Sequence, residues 1–101
     1  MSLKIKNNWN YIGDDRWDWE AFIDDNDTGE LDDIKFVEYV LHPTFINPIR
    51  KSYDRQNKFM IDTNGWGTFI LKAFVFKNDG TKVKLEHLIK LEYDPKKGTT
   101  E

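Results

Sequence analysis

The sequence predicts an antiparallel β-sandwich of seven to eight short strands. Three observations carry this. Apolar residues recur at every second position in nearly every segment, turn-forming residues return at intervals of roughly ten, and no stretch has helical periodicity. At 101 residues the chain makes one domain, with a feasible two-layer core that needs neither metal nor disulfide.

Trp17, Trp19, Ala21 and Ile23 alternate with Asp18, Glu20 and Asp24, which describes a strand with one face inside. Residues 24–33 are a loop by composition. Ile34 to Leu41 then reads as a strand covered on both sides, with Ile34, Phe36 and Val40 on one face and Val37, Tyr39 and Leu41 on the other. It feeds into a segment bracketed by Pro43 and Pro48. Each proline fixes its own φ, removes a backbone donor and biases its predecessor away from helix. Thr44, Phe45 and Ile46 are thereby held in a loop with His42 at its entrance.

Arg50–Tyr53 and Lys58–Ile61 are short strand candidates split by the polar Asp54–Asn57. Asp62–Gly67 is a turn whose two glycines free the backbone on either side of Trp66. Thr68–Lys77 is the strongest strand by composition, and the Asp79-Gly80 pair makes 78–81 a hairpin turn. Val83, Leu85, His87, Ile89 and Leu91 supply the inward positions of the last strand. The domain is expected to occupy residues 1–95, with 96–101 a polar tail that frays.

Composition removes several classes of function. Without cysteine there is no disulfide framework, thiolate metal site or thiol nucleophile, which fits an intracellular protein (cytoplasmic, or nuclear in a eukaryote). No apolar run has the length of a membrane span, so direct membrane insertion is not expected. The net charge of −3 conceals a polarity, since residues 14–33 hold ten acids against Arg16 alone, whereas the half after Pro48 is mildly basic. Such an acidic segment is either a set of solvated loops or an attractor for a basic peptide, acting within about 8 Å at physiological salt. It would repel phosphate, and no basic patch with interleaved aromatics exists, so nucleic acid is not the direct partner.

Catalysis lacks its parts. Ser2 and Ser52 stand in no nucleophile motif, His87 occupies an inward strand position, and no aspartate sits in an apolar setting that would raise its pKa. The acidic loop fails the calcium pattern: with Gly29 as the loop glycine, Asp24 and Asn26 fit but Thr28 and Lys35 do not. No zinc spacing or phosphate-cradling loop is present, and no metal or cofactor is expected. The chain reads as a binder, not an enzyme. Its binding pieces are His42, Thr44 and Phe45 from one loop and Gly65, Trp66 and Gly67 from another, which a sandwich can gather at one end. Spacing leaves two readings open: a slot for a flat group between Phe45 and Trp66, or two rings that plug the end of the core.

At these residues the sequence resembles the YEATS domain family. The resemblance covers about Trp17 to Leu91 and rests on Leu41-His42-Pro43-Thr44-Phe45 with Asn47-Pro48 and Arg50, on Gly65-Trp66-Gly67 with Phe69, and on Leu85-Glu86-His87 with Lys90-Leu91. Pro43, where eukaryotic members usually have an acidic residue, makes the prokaryotic branch the best likeness. The resemblance implies an immunoglobulin-like β-sandwich and a non-enzymatic reader of acylated (acetyl or crotonyl) lysine in a peptide or protein. It also implies roles: Phe45 and Trp66 sandwich the acyl amide, the Thr44 hydroxyl and the Gly65–Gly67 backbone bond it, and His42 lines the slot. The alternative is an accessory protein–protein interaction domain of a larger bacterial signalling or membrane-associated protein, without acyl-lysine binding.

Overall fold

The computed structural model describes residues 3–26, 28–45, 47–65, 67–93 and 96–100. Among them are eight strands: β1 (Lys4–Gly13), β2 (Arg16–Asp24), β3 (Ile34–Val40), β4 (Ile49–Ser52), β5 (Ile61–Gly65), β6 (Ile70–Lys77), β7 (Lys82–Leu88) and β8 (Lys97–Thr99). They form two antiparallel sheets, ordered β5-β2-β1-β8 and β4-β3-β6-β7. The predicted sandwich is what the chain adopts. No helix among the described residues is long and apolar enough to cross a membrane.

The core lies where the two inner faces meet. β2 behaves as its alternation predicts, burying Trp17, Trp19, Ala21 and Ile23, and the opposite sheet answers with Val37, Tyr39, Leu71, Ala73 and Val75. β3 differs from expectation. A bulge between Ile34 and Phe36 brings Ile34 to the buried side with Val37 and Tyr39, because one extra residue shifts the period-two phase. The outer face is not covered by another layer. There Phe36 stacks on Phe76 at 4.5 Å, and the Lys82 ammonium lies 4.5 Å from the Phe74 ring and 5.4 Å from Phe76. Lysine stems and cation–π contacts shield those rings in place of a second layer.

The segment 58–61 also departs from the expected strand. Lys58 and Phe59 both take φ of 56°, which L side chains adopt only under outside constraint. The constraint is visible: Phe59 is buried, its N–H donates to Asp54 O at 2.8 Å, and its carbonyl accepts the buried Tyr39 hydroxyl at 2.7 Å. The strand starts instead at Ile61 and runs through Asp62–Gly65, read above as a turn, because these residues pair with Trp17–Ala21 at the sheet edge. β6 likewise begins at Ile70, two residues later than composition suggested. The acidic loop is partly structured: Asp25 is buried, and its Oδ2 accepts the N–H groups of Gly29 and Leu31 at 3.0 and 3.3 Å.

β1 and β8 are the two strands the sequence did not announce. Lys97–Thr99, expected to fray, pair with Asn8–Asn10. Beside them Asn7, fully buried on β1, joins the two sheets. Its Nδ2 donates to Lys90 O at 2.8 Å, and its Oδ1 accepts from Lys90 N at 3.0 Å and from His87 Nε2 at 2.7 Å. His87 is thus a hydrogen-bonded histidine at the edge of the core, half-buried and not fully inside it, and burial lowers its pKa below the ordinary histidine value.

The sign of the pH effect follows from linkage. With the folded pKa below the unfolded one, the unfolded chain binds the proton first as pH falls. His87 therefore contributes stability that is full above the ordinary histidine range and is lost as pH drops toward the folded pKa. Melting temperatures taken between roughly pH 7.5 and 5 should fall, and the slope should flatten in His87→Gln, which keeps a donor for Asn7. Equal slopes in the two proteins would remove His87 from the account.

Candidate functional site

At one end of the sandwich the 41–48 loop closes over the inter-sheet gap. Its ends are pinched by Leu41 N–H donating to Pro48 O at 2.7 Å, and a tight turn forms inside it as Phe45 N–H donates to His42 O at 3.0 Å. The prolines thus do what their chemistry implies, holding 42–45 out of the ladder. This turn faces the end of β5 and the approach to β6, leaving a cleft of about 540 Å³.

Five of the six expected site residues meet there: His42, Thr44, Phe45, Gly65 and Gly67 all line the cleft. The sixth, Trp66, lies outside the described residues. Phe45 combines the two open readings. Its inner side packs on the core, 6.3 Å from Trp19 at 88° and 5.4 Å from Phe69, while the half-buried ring also faces the cleft. Gly65 makes that seat possible: a Cβ there would stand 3.4 Å from Phe45 Cζ and 3.5 Å from Trp19 Nε1. The Trp19 indole N–H, buried near Phe45, has no hydrogen-bond partner among the described residues.

The polar rim is a coupled pair. Thr44 N–H donates to His42 Nδ1 at 3.3 Å, and the Thr44 hydroxyl lies 2.9 Å from the same nitrogen. A nitrogen that accepts a backbone N–H carries no proton, so the network assigns the ring proton to Nε2 and makes the hydroxyl a donor to Nδ1. The lone pairs of Thr44 Oγ1 then remain as acceptors at the exposed lip of the cleft. This is a site suited to an incoming N–H.

Sequence reasoning did not place three further lining residues. Phe69 joins Phe45 and stands 6.3 Å from His42; its position two residues beyond Gly67 was the available signal. Arg50 lines the wall with its Nε donating to Asn47 O at 3.2 Å and Nη1 to Asp62 O at 3.4 Å, so it bridges the two sheets. Arg16 arrives from the far end of the β1–β2 hairpin, which no local pattern announces.

A larger depression, about 850 Å³, lies over the outer face of the β5-β2-β1-β8 sheet. Its exposed side chains, such as Asp18 and Asn64, belong to the solvent-facing half of ordinary strand alternation, and the two tryptophans that border it, Trp9 and Trp19, are buried in the core. Among the described residues no group of three or more metal-ligating side chains converges. The smaller cleft is the candidate site.

Comparison with known proteins gives consistent results. Residues 17–90 match the family model described as the prokaryotic YEATS domain. A 57-residue stretch is 40% identical to transcription initiation factor TFIID subunit 14 of Schizosaccharomyces pombe, covering 54% of this chain and 23% of that protein. Among solved structures, the yeast AF-9 homolog Yaf9 superposes with a TM-score of 0.78 at 20% identity, covering 97% of this chain and 75% of that one. The Yaf9 YEATS domain bound to H3K27ac gives 0.74 at 19% identity, covering 97% and 78%. The same domain recognising an H3K122suc peptide gives 0.65 at 19%, covering 97% and 79%. At these identities the structural likeness speaks to the fold, an immunoglobulin-like β-sandwich.

Proposed function

The chain belongs to the prokaryotic YEATS domain family, and from that premise we propose that its cleft binds acylated lysine in a peptide or protein, without catalysis. The observation that carries the reading is the His42–Thr44 pair at the lip of an aromatic cleft. Thr44 Oγ1, committed as donor to His42, accepts the N–H of the acyl amide. Phe45 supplies one flat wall, and Trp66, between Gly65 and Gly67 in the sequence, supplies the other. Backbone N–H groups of the 65–67 segment take the acyl carbonyl. An unmodified lysine offers a solvated charge in place of a flat amide and gains none of this. Acylated histone peptides are what the Yaf9 domain binds in two of the structures compared above, which supports the ligand class.

Magnitudes limit the affinity. Two ring contacts at about 0.5–1.5 kcal/mol each and two hydrogen bonds of similar worth sum to roughly 2–6 kcal/mol. A micromolar complex needs about 8 kcal/mol. The rest must come from peptide flanking the lysine, for which an acidic protein favours basic residues.

The test is titration of acetyl- and crotonyl-lysine peptides into the isotope-labelled domain, followed by NMR shifts. Saturable shifts at Phe45 and around Gly65–Gly67 are expected, absent with unmodified lysine and lost in Phe45→Ala and Trp66→Ala, both checked for folding. Thr44→Val, which keeps shape and removes the hydroxyl, should weaken binding about tenfold, the loss of one well-placed hydrogen bond. No shifts at millimolar peptide would abandon the reading.

A further inference from the structure

β7 leaves one side of the second sheet open. It stands last in the order β4-β3-β6-β7, and its seven residues make it longer than the other edge strands, β4, β5 and β8. Proline, a bulge or an inward charge commonly keeps such an edge from pairing. β7 contains no proline and pairs with β6 without a shift of register. Val83, Leu85 and His87 turn inward, while Lys82, Lys84, Glu86 and Leu88 are exposed on the outer face.

The ladder to β6 fixes which backbone groups are spare. Lys77 N–H donates to Thr81 O at 2.8 Å and Ile89 N–H to Phe69 O at 3.0 Å, and both pairs continue the register that matches Leu71 with His87 and Ala73 with Leu85. Antiparallel ladders alternate bonded and non-bonded pairs, so Val83, Leu85 and His87 commit their N–H and C=O groups to β6. Those of Lys82, Lys84, Glu86 and Leu88 point out of the edge, where no strand among the described residues meets them.

A second copy of β7 complements this edge. With the two-fold axis at Leu85, Lys84 of each copy lies opposite Glu86 of the other, and Lys82 lies opposite Leu88. The facing residues of that register are the ones whose backbone groups are spare. Moving the axis one residue either way sets Lys84 against Lys84 or Glu86 against Glu86, and like charges directly opposite destabilise a ladder. Within one copy Lys84 Nζ and Glu86 Oε1 are 3.9 Å apart and solvated, so each can face the other copy. We propose that β7 pairs antiparallel with β7 of a second copy about an axis at Leu85, joining two four-stranded sheets into one continuous sheet. One strand pair is a smaller contact than the standard interface of about 1,600 Å², so the dimer is weak, with a Kd of roughly 10 µM to 1 mM. This pairing is independent of what the cleft binds.

Sedimentation equilibrium between about 10 µM and 1 mM protein should show the dimer. Lys84→Glu and Glu86→Lys each set like charges opposite at both sites and should weaken association at least about tenfold, with melting temperatures checking that the fold is kept. The double variant K84E/E86K, and an equimolar mixture of the two single variants, restore both opposite-charge pairs. Each should recover association to within about threefold of wild type. Amide exchange at Lys84 and Glu86 should slow as concentration rises, while Val83, Leu85 and His87, already bonded to β6, should not respond. A monomer at 1 mM would overturn the proposal, as would a dimer indifferent to both charge reversals. Failure of the double variant and the mixture to recover would overturn the register and the proposal with it.

Discussion

Replacing Asn7 by alanine should destabilise the domain by about 3–5 kcal/mol, a large part of the 5–15 kcal/mol typical of a domain this size. The side chain is fully buried and serves three partners: Lys90 O, Lys90 N and His87 Nε2. Alanine would leave each without its bond, and orphaned buried polar groups cost about 1–3 kcal/mol apiece, less where water can reach them. The melting temperature should fall by roughly 15–25 °C. Asn7→Leu should be no better, since it fills the space and leaves the same partners unmet. Denaturant unfolding measures this directly, and a loss under about 1 kcal/mol would mean that water or local rearrangement serves Lys90 and His87 as well.

Gly98→Ala should have the next largest effect. Gly98 lies directly across from Trp9 in the β1–β8 ladder. A Cβ there would stand 2.6 and 2.9 Å from Trp9 Cη2 and Cε2, with Cζ2 closer still. Trp9 is buried and is a rigid ring, so it cannot swing aside as a flexible chain would. The clash should cost about 1–3 kcal/mol and is relieved most simply by detaching β8. The signature is local: amide protons of Tyr11 and Thr100, bonded to Lys96 O and Asn7 O across this seam, should lose exchange protection. Protection in β3 and β6 should persist. Unchanged protection at Tyr11 and Thr100 would mean the seam tolerates a methyl group.

These two positions also explain what the sequence concealed. β2 and β7 were legible because their inward positions are apolar almost without exception, and β6 because of its dense apolar content. β1 was not, because one of its inward residues is an asparagine whose burial makes sense only beside His87 and Lys90, 80 and 83 residues away. β8 was not, because the side of it that meets the core edge is a glycine shaped to Trp9. Period-two reasoning registers hydrophobicity and is blind to a polar group satisfied at long range or to a missing side chain that makes room for a ring. The site divides the same way. His42, Thr44 and Phe45 followed from two local prolines, and Gly65 and Gly67 from a local turn composition. Arg16, Arg50 and Phe69 join them only through strand pairing and sheet packing.

The Tyr39 hydroxyl, tied to Phe59 O inside the core, has its pKa pushed far up by burial. It should stay protonated until the fold itself gives way in alkali.

The seam joining β1 to β8 has a temporal meaning as well. Its ladder and the long-range bonds of Asn7 link residues separated by 80 to 93 positions. Such distant pairings are made late, after shorter loops have closed, and they slow two-state folding toward the millisecond-to-second range. During synthesis at roughly 5–20 residues per second, the β1–β2 hairpin emerges seconds before Lys90 and Thr100 exist to satisfy Asn7. The nascent chain must therefore hold one sheet edge open, with Trp9 uncovered, until its last strand arrives.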